Sequence, residues 1–351
     1  MNYRYLGRSG LLVSRICLGT MSFGMKDWGC DQQAAGKILG GFIESGGNFI
    51  DTADVYSHGI AEEMLGLALQ DHQREDLVIA TKCWFRMGES PNSKGLSRRY
   101  ILEAVENSLR RLKTDYIDLY QVHGPDWFTP MEETLRALDD LVRQGKVRYI
   151  GCSNYYGWQI VKANALAERY GLERFISGQH LYNLVRRDIE REILPACADQ
   201  GLGLLCWSPL AGGFLSGRFK RDQEPPEGSR ISYRKEIDVP RYFSDDAFNV
   251  IDELDKISNE TNKNLSQLSL AWLLFDRRVT SVIIGPRTVE QLRDSLHVSE
   301  WNLSHEHHER LVNVSRFNHG YPMEWVDLGY ANISGSEEFS PEHFRHPLDR
   351  N

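Results

Sequence analysis

Four ionisable residues each follow a short apolar run closely. Asp51 comes after Asn48-Phe49-Ile50, with Tyr56 in the loop beyond it. Lys82 comes after Leu77-Val78-Ile79-Ala80-Thr81, and His123 after Ile117-Asp118-Leu119-Tyr120-Gln121-Val122. A tyrosine, with an ordinary pKa near 10, is a sluggish acid at neutral pH. A lysine ammonium beside it favours the phenolate and lowers that pKa. A nearby carboxylate holds the lysine in place and keeps it charged, and a histidine can orient a carbonyl by hydrogen-bonding its oxygen. Such a group is a general-acid site for an alkoxide that develops during hydride delivery. Each residue alone has a bland reading: a cap, a packed ring, a solvated charge, a turn histidine. All four at the ends of apolar runs favour catalysis.

Convergence requires those runs to be parallel barrel strands, whose carboxyl ends carry the chemistry. Strand candidates are 16–19, 48–52, 77–82, 117–122, 147–152, 175–179, 203–207 and 281–285. Helical periodicity covers roughly 31–45, 60–70, 98–112, 130–144, 157–170 and 188–200. In 98–112 the apolar residues Ile101, Leu102, Val105, Leu109 and Leu112 recur at helical spacing. The repeating βα unit predicts an α/β fold, a closed (β/α)8 TIM barrel. Residues 3–13, with Gly7 and Gly10, read as an N-terminal hairpin. A long loop, 209–243, rich in Gly, Pro and Arg, follows the seventh strand, and loops of that length are usually functional. The tail carries Pro322, Trp325, Tyr330, Pro341 and Pro347 with little periodicity. The expected domains are a single barrel, 1–316, and an irregular C-terminal extension, 317–351, packed on the barrel or on a neighbouring subunit.

Composition narrows the class. The 351 residues are 41% hydrophobic and 26% charged, ordinary for a globular protein. A net charge of −8 without a basic block disfavours nucleic acid. Six scattered cysteines without C-x-x-C spacing suggest neither zinc nor a disulfide framework. No run approaches the roughly 18 apolar residues of a membrane span, and the N-terminus lacks an apolar signal core. The expectation is a cytoplasmic protein with no membrane partner.

With its motifs read in order, the chain resembles the aldo-keto reductases. The matches are Asp51-Thr-Ala-Asp-Val-Tyr56, Ala80-Thr-Lys82, Gln121-Val-His123-Gly-Pro-Asp126, Gly151-Cys-Ser-Asn154, Gln179, Trp207-Ser-Pro-Leu210 and Ile284-Gly-Pro-Arg-Thr-Val-Glu-Gln-Leu292. The pattern is nearer the bacterial and potassium-channel β-subunit-like branch than the mammalian aldose-reductase branch. The resemblance implies an oxidoreductase that interconverts an aldehyde or ketone with its alcohol, using NADPH/NADP+, with NADH less favoured. It implies Tyr56 as proton donor, Lys82 as the partner that lowers its pKa, Asp51 as the ion-pair partner of Lys82, and His123 as the orienting group. Ser153, Asn154 and Gln179 would meet the nicotinamide carboxamide, and Trp207 would stack on its ring. Ser208, Pro209, Leu210 and Gly212 would follow the pyrophosphate. Arg218 and Arg230 would join them, although solvation is an equal reading for both. Gly19, Thr20 and Met21 would border the cofactor beside the first strand, and Gly285 beside the last. Arg287 and Thr288 would reach the 2′-phosphate, with Gln291 and Asp294 near ribose and adenine. Ser295 stands where many members carry an asparagine, which bears on cofactor affinity.

Specificity would lie in aromatics of the loops. Trp28, Trp84, Phe85, Trp127, Tyr155 and Phe214 follow strand ends, and Trp28, Trp84 and Trp127 are the expected substrate pocket. Partners are then a small carbonyl or alcohol, with a homo-oligomer compatible. Cys83 and Cys152 adjoin the site but read as buried packing, and His305, His307 and His308 read as a solvated helix face rather than a metal site. The competing class is an NADPH-binding, redox-sensing regulatory subunit of slow turnover.

Overall fold

The computed structural model describes residues 1–326 and residue 329. Tyr330, Pro341 and Pro347, and with them most of the expected 317–351 extension, lie outside the described residues. Strands β1 (Tyr3–Tyr5) and β2 (Leu12–Ser14) form an antiparallel hairpin. Eight parallel strands then close a barrel: β3 (Ile16–Gly19), β4 (Phe49–Asp51), β5 (Val78–Cys83), β6 (Ile117–Val122), β7 (Val147–Ser153), β8 (Phe175–Leu181), β9 (Gly203–Trp207) and β10 (Val279–Ile284). Each pairs with its sequence neighbours, and β10 returns to β3. The expected (β/α)8 fold is what the chain adopts.

Helices α1 (Gln32–Glu44), α2 (Ile60–Ala68), α3 (Arg98–Leu112), α4 (Met131–Arg143), α5 (Gly157–Tyr170) and α6 (Ile193–Asp199) cover the first part of the barrel. Helix α3 shows how local sequence makes one. The Ser97 hydroxyl caps it by accepting from Tyr100 N–H. Ile101, Val105, Leu109 and Leu112 bury its apolar stripe, and Lys113 ends it in the left-handed region. In α4, Glu132 and Glu133 open the helix and Arg143 closes it, matching the macrodipole at both ends.

Two apolar layers result. The larger lies between strands and helices, and a small inner one joins Phe49, Ala80, Leu119 and Leu205 inside the barrel. Leu6 and Val13 of the hairpin extend that inner layer, so the hairpin plugs the amino-terminal end. Gly7 is required there. At φ +59° its backbone passes so near β9 that an added Cβ would stand 2.4 Å from the Gly201 carbonyl oxygen.

Several expectations need correction. The last strand runs 279–284, so Gly285 lies beyond it. The predicted 188–200 helix is a 3-10 turn, Asp188–Glu190, followed by α6. The 209–243 connection is not structureless: it holds a 3-10 segment, Ala211–Ser216, then α7 (Arg230–Tyr233) and α8 (Lys235–Tyr242). Beyond it α9 (Asp245–Thr261) and α10 (Leu265–Phe275) precede β10, and α11 (Val289–Leu296) and α12 (His305–Val314) follow it. The pair α9 and α10 is additional to the predicted helices, although Ser244 before Asp245 and Asp246 is a helix-start signal. Among the described residues no helix is long and apolar enough to cross a membrane.

Candidate active site

Strand register places the four predicted groups together. Asp51 pairs with Ala80 across β4 and β5, so Lys82 sits one pleat further along the same face. Lys82 is fully buried. Its ammonium donates to Asp51 Oδ2 at 2.6 Å, to the Thr52 carbonyl at 2.7 Å and to the Tyr56 hydroxyl at 3.3 Å. The other Asp51 oxygen accepts from Gln179 at 2.8 Å and Gln121 at 3.2 Å. Tyr56 begins a tight turn in which Ser57 (φ 50°) and His58 (φ 53°) are left-handed, and the Ser57 hydroxyl anchors it on the Phe23 carbonyl. The His123 ring stands edge-on to Tyr56 at 5.8 Å and to Phe85 at 5.0 Å.

Burial and charge set the protonation states. Burial would depress the Lys82 ammonium, but Asp51 and the Tyr56 hydroxyl outweigh it and the net shift is upward. His123 falls well below its usual range, through burial and then the Lys82 charge, so its imidazole is neutral. Tyr56 departs from expectation. Burial pushes its phenol above the ordinary value, and Lys82 offsets only part of that. The phenol therefore keeps its proton across the neutral range.

These groups floor a cavity of about 830 Å³ at the carboxyl end of the barrel. Every residue expected at the cofactor lines it except Thr20 and Thr288. Thr20 is buried beneath, donating to the Asp51 carbonyl, and Thr288 caps α11 by accepting from Gln291 N–H. Lys82 is also off the surface, behind Tyr56 and Asp51. Ser153 and Asn154 do not cap α5, whose cap is Tyr156. Asn154 instead donates to the His123 carbonyl at 2.9 Å and accepts from the Trp207 indole at 3.1 Å, tying β7 to β9. Asp294 is held by Asn264 at 2.7 Å and Gln267 at 2.9 Å, and Gln291 accepts from Arg287 N–H.

Arg218 and Arg287 line the cavity with no side-chain ion pair among the described residues. Arg218 is depressed by burial and then by the Arg287 charge. Two neighbouring guanidinium groups without counter-charge suit a phosphate-bearing ligand. Floor amides at one end and guanidinium groups without acid partners elsewhere thus share one cavity.

The expected aromatic pocket divides. Trp28, Trp84 and Phe85 line the cavity. Trp127 does not; it is 65% exposed and packs 6.3 Å from Tyr156 and Trp158 on the outer rim. Tyr155 and Phe214 are buried in the shell. The Cys83 and Cys152 thiols are fully buried and burial pushes both up, so neither presents a thiolate. Of the α12 histidines, His307 meets Glu260 and His308 stacks on Phe275.

The sequence comparisons agree with this arrangement. Residues 15–316 match the model of the aldo/keto reductase family. The chain belongs to that family. It is an oxidoreductase. A Bacillus subtilis relative described as uncharacterized oxidoreductase YrpG is 40% identical over 316 residues, which span 87% of this chain and 93% of the relative. A rice protein described as a probable voltage-gated potassium channel subunit beta is 38% identical over 301 residues, 84% of this chain and 90% of that one. A fission-yeast (Schizosaccharomyces pombe) putative aryl-alcohol dehydrogenase is 35% identical over 332 residues, 87% and 93% of the two chains.

Sequence reading missed some residues of this family member's site. Gln121, the second amide on Asp51, opens the Gln121-Val-His123 motif but has no role assigned to it there. Arg234 and Arg241 also line the cavity, with Asp238 buried beside them. Their signal is the spacing Arg230, Arg234, Asp238, Arg241, which is one face of a helix.

Proposed function

We propose that this oxidoreductase interconverts an aldehyde or ketone with its alcohol, using NADPH in preference to NADH, with Tyr56 as proton donor. The observation that carries this reading is the Lys82 ammonium, bonded at once to Asp51 and to the Tyr56 hydroxyl at the floor of a dinucleotide-sized cavity. When bound, the nicotinamide cofactor supplies or accepts hydride. The chain does the rest. Neutral His123, whose side chain lines the cavity, orients the carbonyl oxygen. Tyr56 gives its proton to that oxygen as negative charge develops, and the fixed Lys82 charge stabilises the phenolate left behind. Asp51, held by two glutamine amides, keeps the ammonium in place. Asn154 and the Trp207 indole lock each other at the nicotinamide end. Arg287, held on the Trp28 and Gly228 carbonyls with no acid partner among the described residues, favours a cofactor with a 2′-phosphate. We take 1–316 as the catalytic unit and the remainder as an appendage.

A slowly turning, NADPH-binding regulatory subunit is the second reading, favoured by likeness to proteins described as potassium channel β subunits. Fluorescence titration with NADPH and NADH, then a carbonyl panel, separates the two. Tight NADPH binding with consumption is expected; binding without turnover on any carbonyl favours regulation. Tyr56→Phe should lower kcat by about 10²–10⁴-fold while NADPH affinity stays. Near-normal turnover in that variant would remove Tyr56 from the proton-donor role.

A further inference from the structure

The connection between β9 and α9 carries Arg230, Arg234, Asp238 and Arg241, spaced four, four and three. Helices α7 and α8 turn all four toward one place. Asp238 is fully buried, with Arg230 Nε 3.7 Å and Arg234 Nε 3.6 Å from Oδ2, and Arg241 Nη1 3.7 Å from Oδ1. None of these is a hydrogen bond, and among the described residues neither Asp238 oxygen nor Arg230 Nε has any other partner. Elsewhere the protein closes such pairs: Arg111 meets buried Glu62 at 2.6 Å, and Arg187 grips Glu190 through two nitrogens. Three guanidinium charges against one carboxylate leave two positive charges over, facing the cavity.

Their place in the cavity is specific. Arg241 stands 5.9 Å from the Trp207 ring, and Arg230 5.6 Å from the Trp28 ring. The Arg230 charge also acts on the Tyr56 phenol. The cluster thus neighbours the proposed reacting end, and through Trp28 and Gly228 it adjoins Arg287, which donates to both their carbonyls.

We propose that Arg234 and Arg241, held in place by Asp238, select carbonyl substrates that carry a carboxylate or phosphate group a few bonds from the reacting carbon. The proposal rests on the reductase reading above. A planar guanidinium matches either oxyanion in bidentate fashion. Such an anion takes up the hydrogen bonds that the three arginines do not give Asp238. Trp28 and Trp84, which line the same cavity, cover the apolar remainder of the substrate.

The test compares 4-carboxybenzaldehyde with its methyl ester, and glyceraldehyde 3-phosphate with glyceraldehyde, at saturating NADPH. Wild type should prefer the anionic member of at least one pair by about tenfold or more in kcat/KM, and the larger gap tells carboxylate from phosphate. Arg241→Gln and Arg234→Gln should erase that gap, chiefly through KM, while Arg241→Lys keeps part of it. A wild type indifferent to charge overturns the proposal without any variant. So does a Gln variant that loses charged and neutral substrates alike. If NADPH affinity falls as far as the substrate preference, the arginines hold cofactor phosphate and the proposal also fails. Should no aldehyde be turned over, calorimetry on the NADP+-loaded protein decides, with 4-carboxybenzyl alcohol against its uncharged amide. Anion-selective binding lost in Arg241→Gln leaves the anion site standing while the reductase reading falls; no selectivity ends the proposal.

Discussion

At the cavity floor Lys82 has three oxygen partners within 3.3 Å, and its carboxylate is bound by two further amides. On the wall above, Arg230, Arg234 and Arg241 stand 3.6–3.7 Å from Asp238, and none closes onto it. Both regions bury a carboxylate completely enough that hydration cannot satisfy it. The difference lies in what each is built to meet. The Lys82–Asp51 pair is closed without a ligand, as suits a group that must hold one geometry while charge develops above it. The wall has positive charge left over, as suits a surface completed by an anion.

The largest expected effect comes from breaking the floor. Lys82→Met leaves Asp51 buried without its counter-charge, a loss of about 3–5 kcal/mol, and turnover should fall by about 10²–10⁴-fold. Adding Asp51→Asn removes the stranded charge, so the double variant should recover much of the stability and none of the activity. Asp238→Asn should cost less than Lys82→Met, since no hydrogen bond is lost there. Thermal melts of the four proteins check this. Equal losses at floor and wall would abolish the distinction drawn between them.

A third buried carboxylate sharpens it. Asp54 follows β4, its N–H donating to the Lys82 carbonyl, with Oδ1 unpartnered among the described residues and Oδ2 3.5 Å from the Tyr100 hydroxyl. Burial, then repulsion from Glu62, raises its pKa to about 8. Unfolded, it ionises near 3.9. The folded value is the higher, so its contribution to stability is full below about pH 4 and is lost as pH climbs to about 8, by up to about 1.4 kcal/mol per unit. His123 works the other way. Its folded value is depressed, so its contribution holds above about pH 6.5 and declines as pH falls below that. Asp54→Asn should therefore melt progressively higher than wild type between pH 5 and 8. A gap that stays constant over that range would mean that Asp54 is ionised in the folded protein.

The barrel was legible because parallel strands buried on both faces read as unbroken apolar runs, and Leu77–Thr81 before Lys82 is one such run. The candidate site was legible because Asp51 and Lys82 fall at the carboxyl ends of β4 and β5 and His123 directly follows β6. The wall was legible only as the helical spacing of Arg230, Arg234, Asp238 and Arg241, and its surroundings masked that signal. Its arginines fall among Gly217, Pro225, Pro226, Gly228 and Pro240, which read as loop, and α8 keeps Pro240 near its end. The raised Tyr56 pKa was also out of reach, because the depth of a ring depends on packing rather than on neighbours in the chain. Trp127 failed for a third reason. Asp126 accepts from Leu96 N–H, Phe128 N–H and the Thr129 hydroxyl, which fixes the loop and turns the next residue outward.

That turn makes Trp84 and Trp127 a matched pair, each closely following a strand end and differing in direction alone. Trp84 lines the cavity, 4.6 Å from Phe85, with Gly124 against its ring. Burying an aromatic against substrate is worth about 1.5–3 kcal/mol, so Trp84→Ala should raise KM for apolar carbonyls about tenfold or more. Trp127→Ala removes a ring that is 65% exposed and should leave KM within about twofold. Steady-state KM values on one carbonyl panel compare them directly. If both variants lose affinity alike, the Asp126 loop folds inward on binding and the outer rim belongs to the pocket after all. If neither does, the cavity aromatics pack loops only, and selection falls to the arginines.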